Sequence, residues 1–572
     1  MGQLSDCAGI EYDLIIIGAG VNGAGVAREA AHRGLKALLL DKGDFCCGAT
    51  SWSTRLAHGG LRYLEYFEFP LVRESLRERE ILLNVAPHLV DPLPMTIPIY
   101  RDRSRPYLKI AAGMYLYDLL SFDKTLPAHR MMSKSVFRQV YRAMDADNLV
   151  GGAQYYDAQV AYAERLALEN ILDAEAHGAT VKSYTEVMAL NRDGDRISSL
   201  VCRDLETQEQ CEIPVSPKAL IINTSGAWVD EVLRRGQRSN QPAVIGNEPM
   251  IGPTKGSHIV VEPFPGAPED TAFYVEAKSD GRPFFIVPWL GMILIGTTDL
   301  RFNGDLESIK AANSEIDYLI AETNSIIPGA KLDRGDVRFS YSGVRPLPYA
   351  EGKKPSSVTR GHELYDHSVD QATNLRSLIG GKITTYRQVG IDAMEEISSI
   401  RNQKLPKFDS NSSQLPGAIW PEDSRIQRWL DQYRGRLDRT IIDHLVSIYG
   451  ARTYQVLELL DEDSTLGKSL PSPFPFIGAQ VVHSVRNEYA KTLVDILLRR
   501  TMIAIYEDYG LSLLPKVTKI LQKHCGWSFT QCQTQVEDYL NYMMRHCIPE
   551  YEEEHYQAKF DALIDKELTS LV

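Results

Sequence analysis

The chain has 572 residues, enough for two or three domains with separate cores. Its 62 basic against 75 acidic side chains leave a net charge of -13, which argues against nucleic-acid binding, and no apolar run approaches the roughly 18 residues that span a bilayer. Eight scattered cysteines with no CxxC pair argue against a disulfide framework and fit no zinc pattern, so no metal is expected; the N-terminus lacks the basic and apolar regions of a secretory signal, so a cytoplasmic location is expected.

Residues Tyr12 to Asp41 form the most informative stretch. Tyr12 to Ile17 reads as a buried strand, Gly18-Ala19-Gly20-Val21-Asn22-Gly23 opens a helix running to about Arg33, and Leu35 to Leu40 is a second strand ending on Asp41. That is a complete βαβ unit with an acid roughly 20 residues past the glycines, the pattern of a dinucleotide site. Gly18 makes the turn out of the strand, Gly20 lets a diphosphate approach the backbone, and Gly23 lets the helix pack on the strand. The unpaired N–H groups at the helix start bind the diphosphate, and Asp41 accepts the ribose hydroxyls.

Asp44 to Arg62 is a long Gly/Ser/Thr-rich connection, placed either as a surface loop or along a bound cofactor. A helix is expected from His58 through Leu83, an edge strand at Leu93 to Tyr100 among prolines, and an apolar helix at Tyr107 to Phe122. Asp157 to His177 reads as a helix, Thr180 to Leu190 and Ile197 to Asp204 as strands, and Ala219 to Trp228 as an apolar strand ending on a small-residue turn, ahead of a helix at Trp228 to Arg235. Residues 244–350 are strand-rich. Leu378 to Arg387 breaks a strand on Gly380 and Gly381 and enters a helix to Ile400; 401–423 is a polar, proline-containing linker, and helices follow to 560.

The segments GAGVNGAG, ATSWSTRLAHGGLRYLEYFEF, KGSHIVV, IGTTD, YSGVRPL, GGKITTYR and NEYAKTLVDILLRRTMIAI resemble, in order and spacing, the FAD-dependent glycerol-3-phosphate dehydrogenases, over about residues 10–545. The resemblance implies an α/β, Rossmann-like FAD-binding domain of the D-amino-acid-oxidase type, an inserted substrate domain with an antiparallel or mixed sheet, and a C-terminal all-α cap. The FAD-binding domain is expected at 10–85, 146–240 and 351–400, the substrate domain at 86–145 and 241–350, and the cap at 424–560. The implied reaction oxidises sn-glycerol 3-phosphate to dihydroxyacetone phosphate, with FAD passing electrons to a membrane quinone. A glycerol-3-phosphate oxidase using oxygen is the alternative, and a non-enzymatic FAD module the reading from another class; a homodimer is left open.

By the same resemblance, Ser51, Thr54 and His58 lie along the flavin, Gly226 lies beside the dinucleotide, and Gly380, Gly381 and Lys382 to Thr384 close the far side. A phosphate site calls for arginines, whose planar fork matches phosphate oxygens: Arg62, Arg345 and Arg360, with Lys382 as a point charge and Tyr63 and Thr298 as hydrogen-bonding partners. The base is His258, placed slightly ahead of His58, unless Arg345 lowers the proton's cost electrostatically. With no spanning segment, a quinone-reducing enzyme docks on the membrane surface. Arg101, Arg103, Arg105 and Lys109 beside the apolar helix form one candidate patch; Lys491, Arg499 and Arg500, opposed by Asp495 and Glu507, form another.

Overall fold

The computed structural model describes residues 3–235, 243–246, 248–352, 358–470, 474–506 and 508–563. Strand Leu14–Ile17 sits inside a six-stranded sheet ordered His362–Asp366, Leu375–Gly380, Leu220–Asn223, Leu14–Ile17, Ala37–Leu40, Thr180–Lys182. All of these run parallel except His362–Asp366. The strands are continuous apolar runs because both faces are covered. Leu14 and Ile16 pack with helices Val21–His32, Ala163–Ala176 and Tyr386–Ile400, whereas Ile15 and Ile17 pack against a three-stranded antiparallel sheet, Thr185–Asp193, Arg196–Asp204 and Gln210–Pro214.

A second, ten-stranded mixed sheet combines segments far apart in sequence, including Asp91–Tyr100, Leu149–Gln159, Thr254–Val261, Pro283–Trp289 and Val337–Arg345. Helix Asn313–Ile326, which the strand-rich reading of 244–350 missed, covers part of one face, and its first turn is capped by Glu315, whose carboxylate accepts from the Ala312 N–H at 3.1 Å. Helices from Ser424–Gln432 to Glu553–Leu563 make up the C-terminal domain. Segment 401–423 is irregular but anchored: Arg28 donates to Ser413 and Arg387 to Asn411.

Several expected elements differ. The helix placed at Asp157 begins at Ala163; Asp157 itself is an inward-facing strand residue whose carboxylate accepts from Arg79 at 3.0 Å and Tyr117 at 2.8 Å. Leu149–Gln159 therefore pairs within the second sheet, not with the dinucleotide-binding strands. Asp91–Tyr100 is an inner strand, not an edge, because its parallel pairing to Ala272–Glu276 is confined to Met95 and Thr96, between prolines. The helix expected from His58 splits into a 3₁₀ turn at Leu61–Tyr66 and helix Phe69–Val85, separated by Phe67 in the left-handed region at φ 59°. The boundary drawn at 240/241 lies outside the described residues.

Of the two basic patches, the C-terminal one is not a surface: Arg499 and Arg500 are buried and donate to Asp44, and Lys491 pairs with Glu206. Glu507 lies outside the described residues. No helix among the described residues is long and apolar enough to cross a membrane.

Candidate active site

The C-terminal ends of the parallel strands open onto a cavity of about 830 Å³, where open α/β sheets place their ligands. Gly18, Gly20, Asp41, Thr54, His58, Arg62, Tyr63, Gly226, His258, Arg345, Arg360, Gly380, Gly381, Lys382 and Thr384 all line it, brought together from five stretches of chain.

At one end the glycine turn forms a cradle. Gly18 has φ 106°, and a Cβ there would lie 2.7 Å from the Ser225 Cα. A Cβ on Gly23 would lie 2.0 Å from the Gly18 carbonyl oxygen, so Gly23 serves helix–strand packing and does not line the cavity. Gly20 differs: its Cβ would meet only the Thr50 hydroxyl, at 3.4 Å, and at Gly226 a Cβ would meet nothing within 4 Å. Helix Val21–His32 starts at Gly20 with no side-chain cap, so its first N–H groups face the cradle, apart from that of Val21, which donates to Thr50. Asp41 accepts from the Ala19 N–H at 2.6 Å and the Gly43 N–H at 2.9 Å, fixing the turn, while burial pushes its carboxyl up to about 6. An open backbone cradle, a helix N-terminus and a terminal acid fit the adenosine diphosphate portion of a dinucleotide.

Cations converge elsewhere in the cavity. Arg345 donates to the Thr297 hydroxyl at 2.9 Å and to Asp299 at 3.3 Å, and Arg360 reaches the other oxygen of Asp299 at 3.4 Å. Lys382 lies 5.0 Å from the Tyr63 ring centroid and donates to Ser75. Burial pushes the Tyr63 phenol up against the opposing pull of Arg360, Arg345 and Arg62. Burial, then the charge of Arg360, brings Arg345 down to about 10, and burial brings Lys382 down to about 8. Four cations sharing Asp299 as acceptor for two of them make a site for a multiply charged anion.

The two histidines are both neutral near pH 7. Burial, with Arg345 and Arg55 nearby, holds His258 well below the usual imidazole range; burial brings His58 to about 4. His258 stacks on Tyr341 at 4.7 Å, its Nε2 shares a hydrogen bond with the Thr54 hydroxyl at 2.9 Å, and its Nδ1 has no protein partner. His58 is held by its backbone N–H, which donates to Thr384 at 3.2 Å.

Two expected contacts face elsewhere. Ser51 is buried and donates to the Cys46 carbonyl at 2.6 Å, whereas its neighbour Thr50 lines the cavity. Thr298 donates to Glu315 at 2.6 Å and accepts from the Ser257 N–H; Thr297 and Asp299, on either side, line the cavity. Asp299 had a sequence signal, as the acid that ends IGTTD.

Residues 13–364 match the family model described as FAD dependent oxidoreductase, and 409–532 match the C-terminal domain of alpha-glycerophosphate oxidase. The chain thus belongs to the FAD-dependent oxidoreductases of the D-amino-acid-oxidase-like fold, and its cofactor is FAD. Within them it is a member of the glycerol-3-phosphate dehydrogenase family. It is 53% identical to a glycerol-3-phosphate dehydrogenase of Synechocystis over 94% of this chain and 98% of that one. It is 38% identical to D-erythritol 1-phosphate dehydrogenase of Brucella abortus over 86% of this chain and 94% of the relative. The fold matches that of glycerol-3-phosphate dehydrogenase from Bacillus halodurans complexed with FAD, at a TM-score of 0.70 and 24% identity, covering 99% of this chain and 97% of the other.

Proposed function

We propose that the protein oxidises sn-glycerol 3-phosphate to dihydroxyacetone phosphate. The observation that carries this reading is the convergence of Arg62, Arg345, Arg360 and Lys382 in the same cavity as the dinucleotide cradle. A carboxylate substrate calls for one cation; a phosphate dianion uses several. Bound FAD supplies the two-electron acceptor for an alcohol carbon. The protein's own part is to hold the phosphate on the guanidinium groups, which orients the carbinol, and to take the hydroxyl proton. His258 is the first choice as acceptor because it is neutral and has an unpartnered nitrogen. A phosphate dianion beside Arg345 offsets one of the charges that hold His258 down, so substrate binding raises the imidazole toward the range of an effective base. His58 is the second choice. Anaerobic mixing with glycerol 3-phosphate should bleach the bound flavin; absence of bleaching would leave only the non-enzymatic module.

The same mixing tests the phosphate clamp. Arg345→Lys keeps a charge but loses the fork, so kcat/KM for glycerol 3-phosphate is expected to fall about tenfold or more, with a smaller loss on glycerol. Equal losses on both substrates would show that Arg345 does not read the phosphate.

The proposed electron acceptor is a membrane quinone reached from the bilayer surface. Supporting this is helix Tyr107–Leu120, where only Met114 and Tyr117 are buried while Leu108 is 80%, Leu119 69% and the following Phe122 76% exposed; Phe67 is 77% exposed. Its basic flank is largely neutralised: Arg103 pairs with Asp102, Arg105 with Glu65 and Glu276, and Lys109 with Glu65. Attraction to lipid on this reading is therefore mainly apolar. Changing Leu108, Leu119 and Phe122 together to Asp should abolish flotation with vesicles and lower quinone reduction while a soluble dye is still reduced normally. Changing Arg101, Arg103 and Arg105 together to Glu should have the smaller effect. Oxygen is the second reading, favoured by the match of 409–532 to a glycerophosphate oxidase domain; wild type that ignores vesicles and yields stoichiometric peroxide under air would establish it.

A further inference from the structure

A second cavity, of about 660 Å³, lies between the C-terminal helices and helix Ala163–Ala176, and it shares no lining residue with the catalytic cavity. Arg425 and Arg428 enter it from helix Ser424–Gln432, and Arg452 from the turn before helix Thr453–Glu462. Among the described residues no carboxylate lines it, in a chain whose net charge is -13. Trp429, Tyr454 and Gln455 complete the chemically distinctive part of its wall.

The guanidinium groups here are under-used. Arg452 is only 8% exposed; among the described residues its Nη1 makes no hydrogen bond, and its ion pair to the buried Glu169 is long, at 3.7 Å. Its Nε donates to the Gln455 side-chain oxygen at 3.2 Å. The buried Nη1 donor is held only by a 3.7 Å ion pair, and an anion oxygen in the cavity would supply the hydrogen bond it lacks. Arg428 is exposed and makes no hydrogen bond or ion pair among the described residues. Arg425 is held by Asp423 at 2.8 Å but remains 40% exposed. Forked cations of this kind match phosphate oxygens, while an aromatic wall suits a flat ring.

We propose that this cavity binds a small organic phosphate carrying a planar ring, a ligand of the nucleoside phosphate type, at a site separate from catalysis. The phosphate lies between Arg428 and Arg452 with Arg425 at its margin, and the ring lies against Trp429 and Tyr454. The exposed apolar residues around helix Tyr107–Leu120 take no part in the lining, so the phosphate comes from a free metabolite and not from a lipid headgroup.

Calorimetry on the FAD-loaded enzyme with ADP tests this, since bound FAD blocks the adenosine diphosphate cradle of the catalytic cavity. Saturable one-site binding is expected, tighter than that of inorganic phosphate. It should weaken about tenfold or more in Arg428→Glu, an exposed position whose change leaves the fold intact, and persist in Arg345→Lys. Arg452→Gln should weaken it further, with circular dichroism checking that the variant is folded. Absence of saturable binding, or equal affinity of wild type and the Arg425→Glu/Arg428→Glu pair, would overturn the proposal. So would loss of phosphatidylglycerol-vesicle binding in that pair with ADP binding unchanged, which would make the cavity a lipid headgroup site.

Discussion

Gly20→Val should give a folded protein that has lost its yellow colour. The Cβ at this position meets only the Thr50 hydroxyl at 3.4 Å, so the loop itself tolerates a side chain. The added isopropyl group instead projects into the cradle at the start of helix Val21–His32, where the diphosphate must approach the backbone. FAD content of the purified variant, read from its absorbance, should fall to background, and added FAD should not restore it. Circular dichroism should remain that of a folded chain. Gly23→Ala is the informative contrast: its Cβ would sit 2.0 Å from the Gly18 carbonyl oxygen, so this smaller change should damage folding itself. Wild-type FAD content in Gly20→Val would show that the diphosphate does not pass over this residue.

His258→Asn should slow reduction of bound FAD in single turnover by about 10²–10⁴-fold, the usual contribution of a positioned base. Asparagine retains a hydrogen bond to Thr54 but cannot take up the proton. Because the His258 pKa is displaced well below 6.5, the wild-type rate should hold to well under that pH and then fall as the imidazole protonates; the variant should lack this limb. Stability has the same sign. An unfolded imidazole binds a proton near 6.5 and the buried one does not, so His258 costs the folded state increasing stability as pH falls below about 6.5. Thermal melts at descending pH should therefore show wild type losing more than His258→Asn. A larger kinetic loss in His58→Asn than in His258→Asn would move the base to His58.

Local backbone chemistry made the dinucleotide unit legible. The spacing of Gly18, Gly20 and Gly23 within one βαβ unit identifies them, although the close approach that requires Gly18 comes from Ser225 on a neighbouring strand's end. Gly380 and Gly381 are legible through backbone conformation, both in the left-handed region at φ 79° and 93°, where a side chain would strain the chain. The motif segments also carry Arg62, Arg345 and Lys382, which line one cavity together with Arg360.

Side-chain direction was decided by tertiary structure. Ser51 and Thr298 lie in the right segments but face away, and the cavity is lined by their neighbours Thr50, Thr297 and Asp299. Successive side chains point in different directions, alternating where the chain is extended and set by the turn at Thr50 and Ser51, so a segment correctly placed still leaves a one-residue ambiguity until its packing is known. Charge partners over long separations were equally hidden. Asp44 takes up Arg499 and Arg500 from more than 450 positions away, which turns an expected basic surface into a buried ion cluster, and Glu65 and Glu276 neutralise the flank of helix Tyr107–Leu120. The sequence by itself determined the cofactor cradle and the family, because these depend on short-range spacing. Only the tertiary structure decided which polar side chains face the cavity and which charges remain for a ligand, because pairing and burial depend on residues that meet only after the sheets have packed.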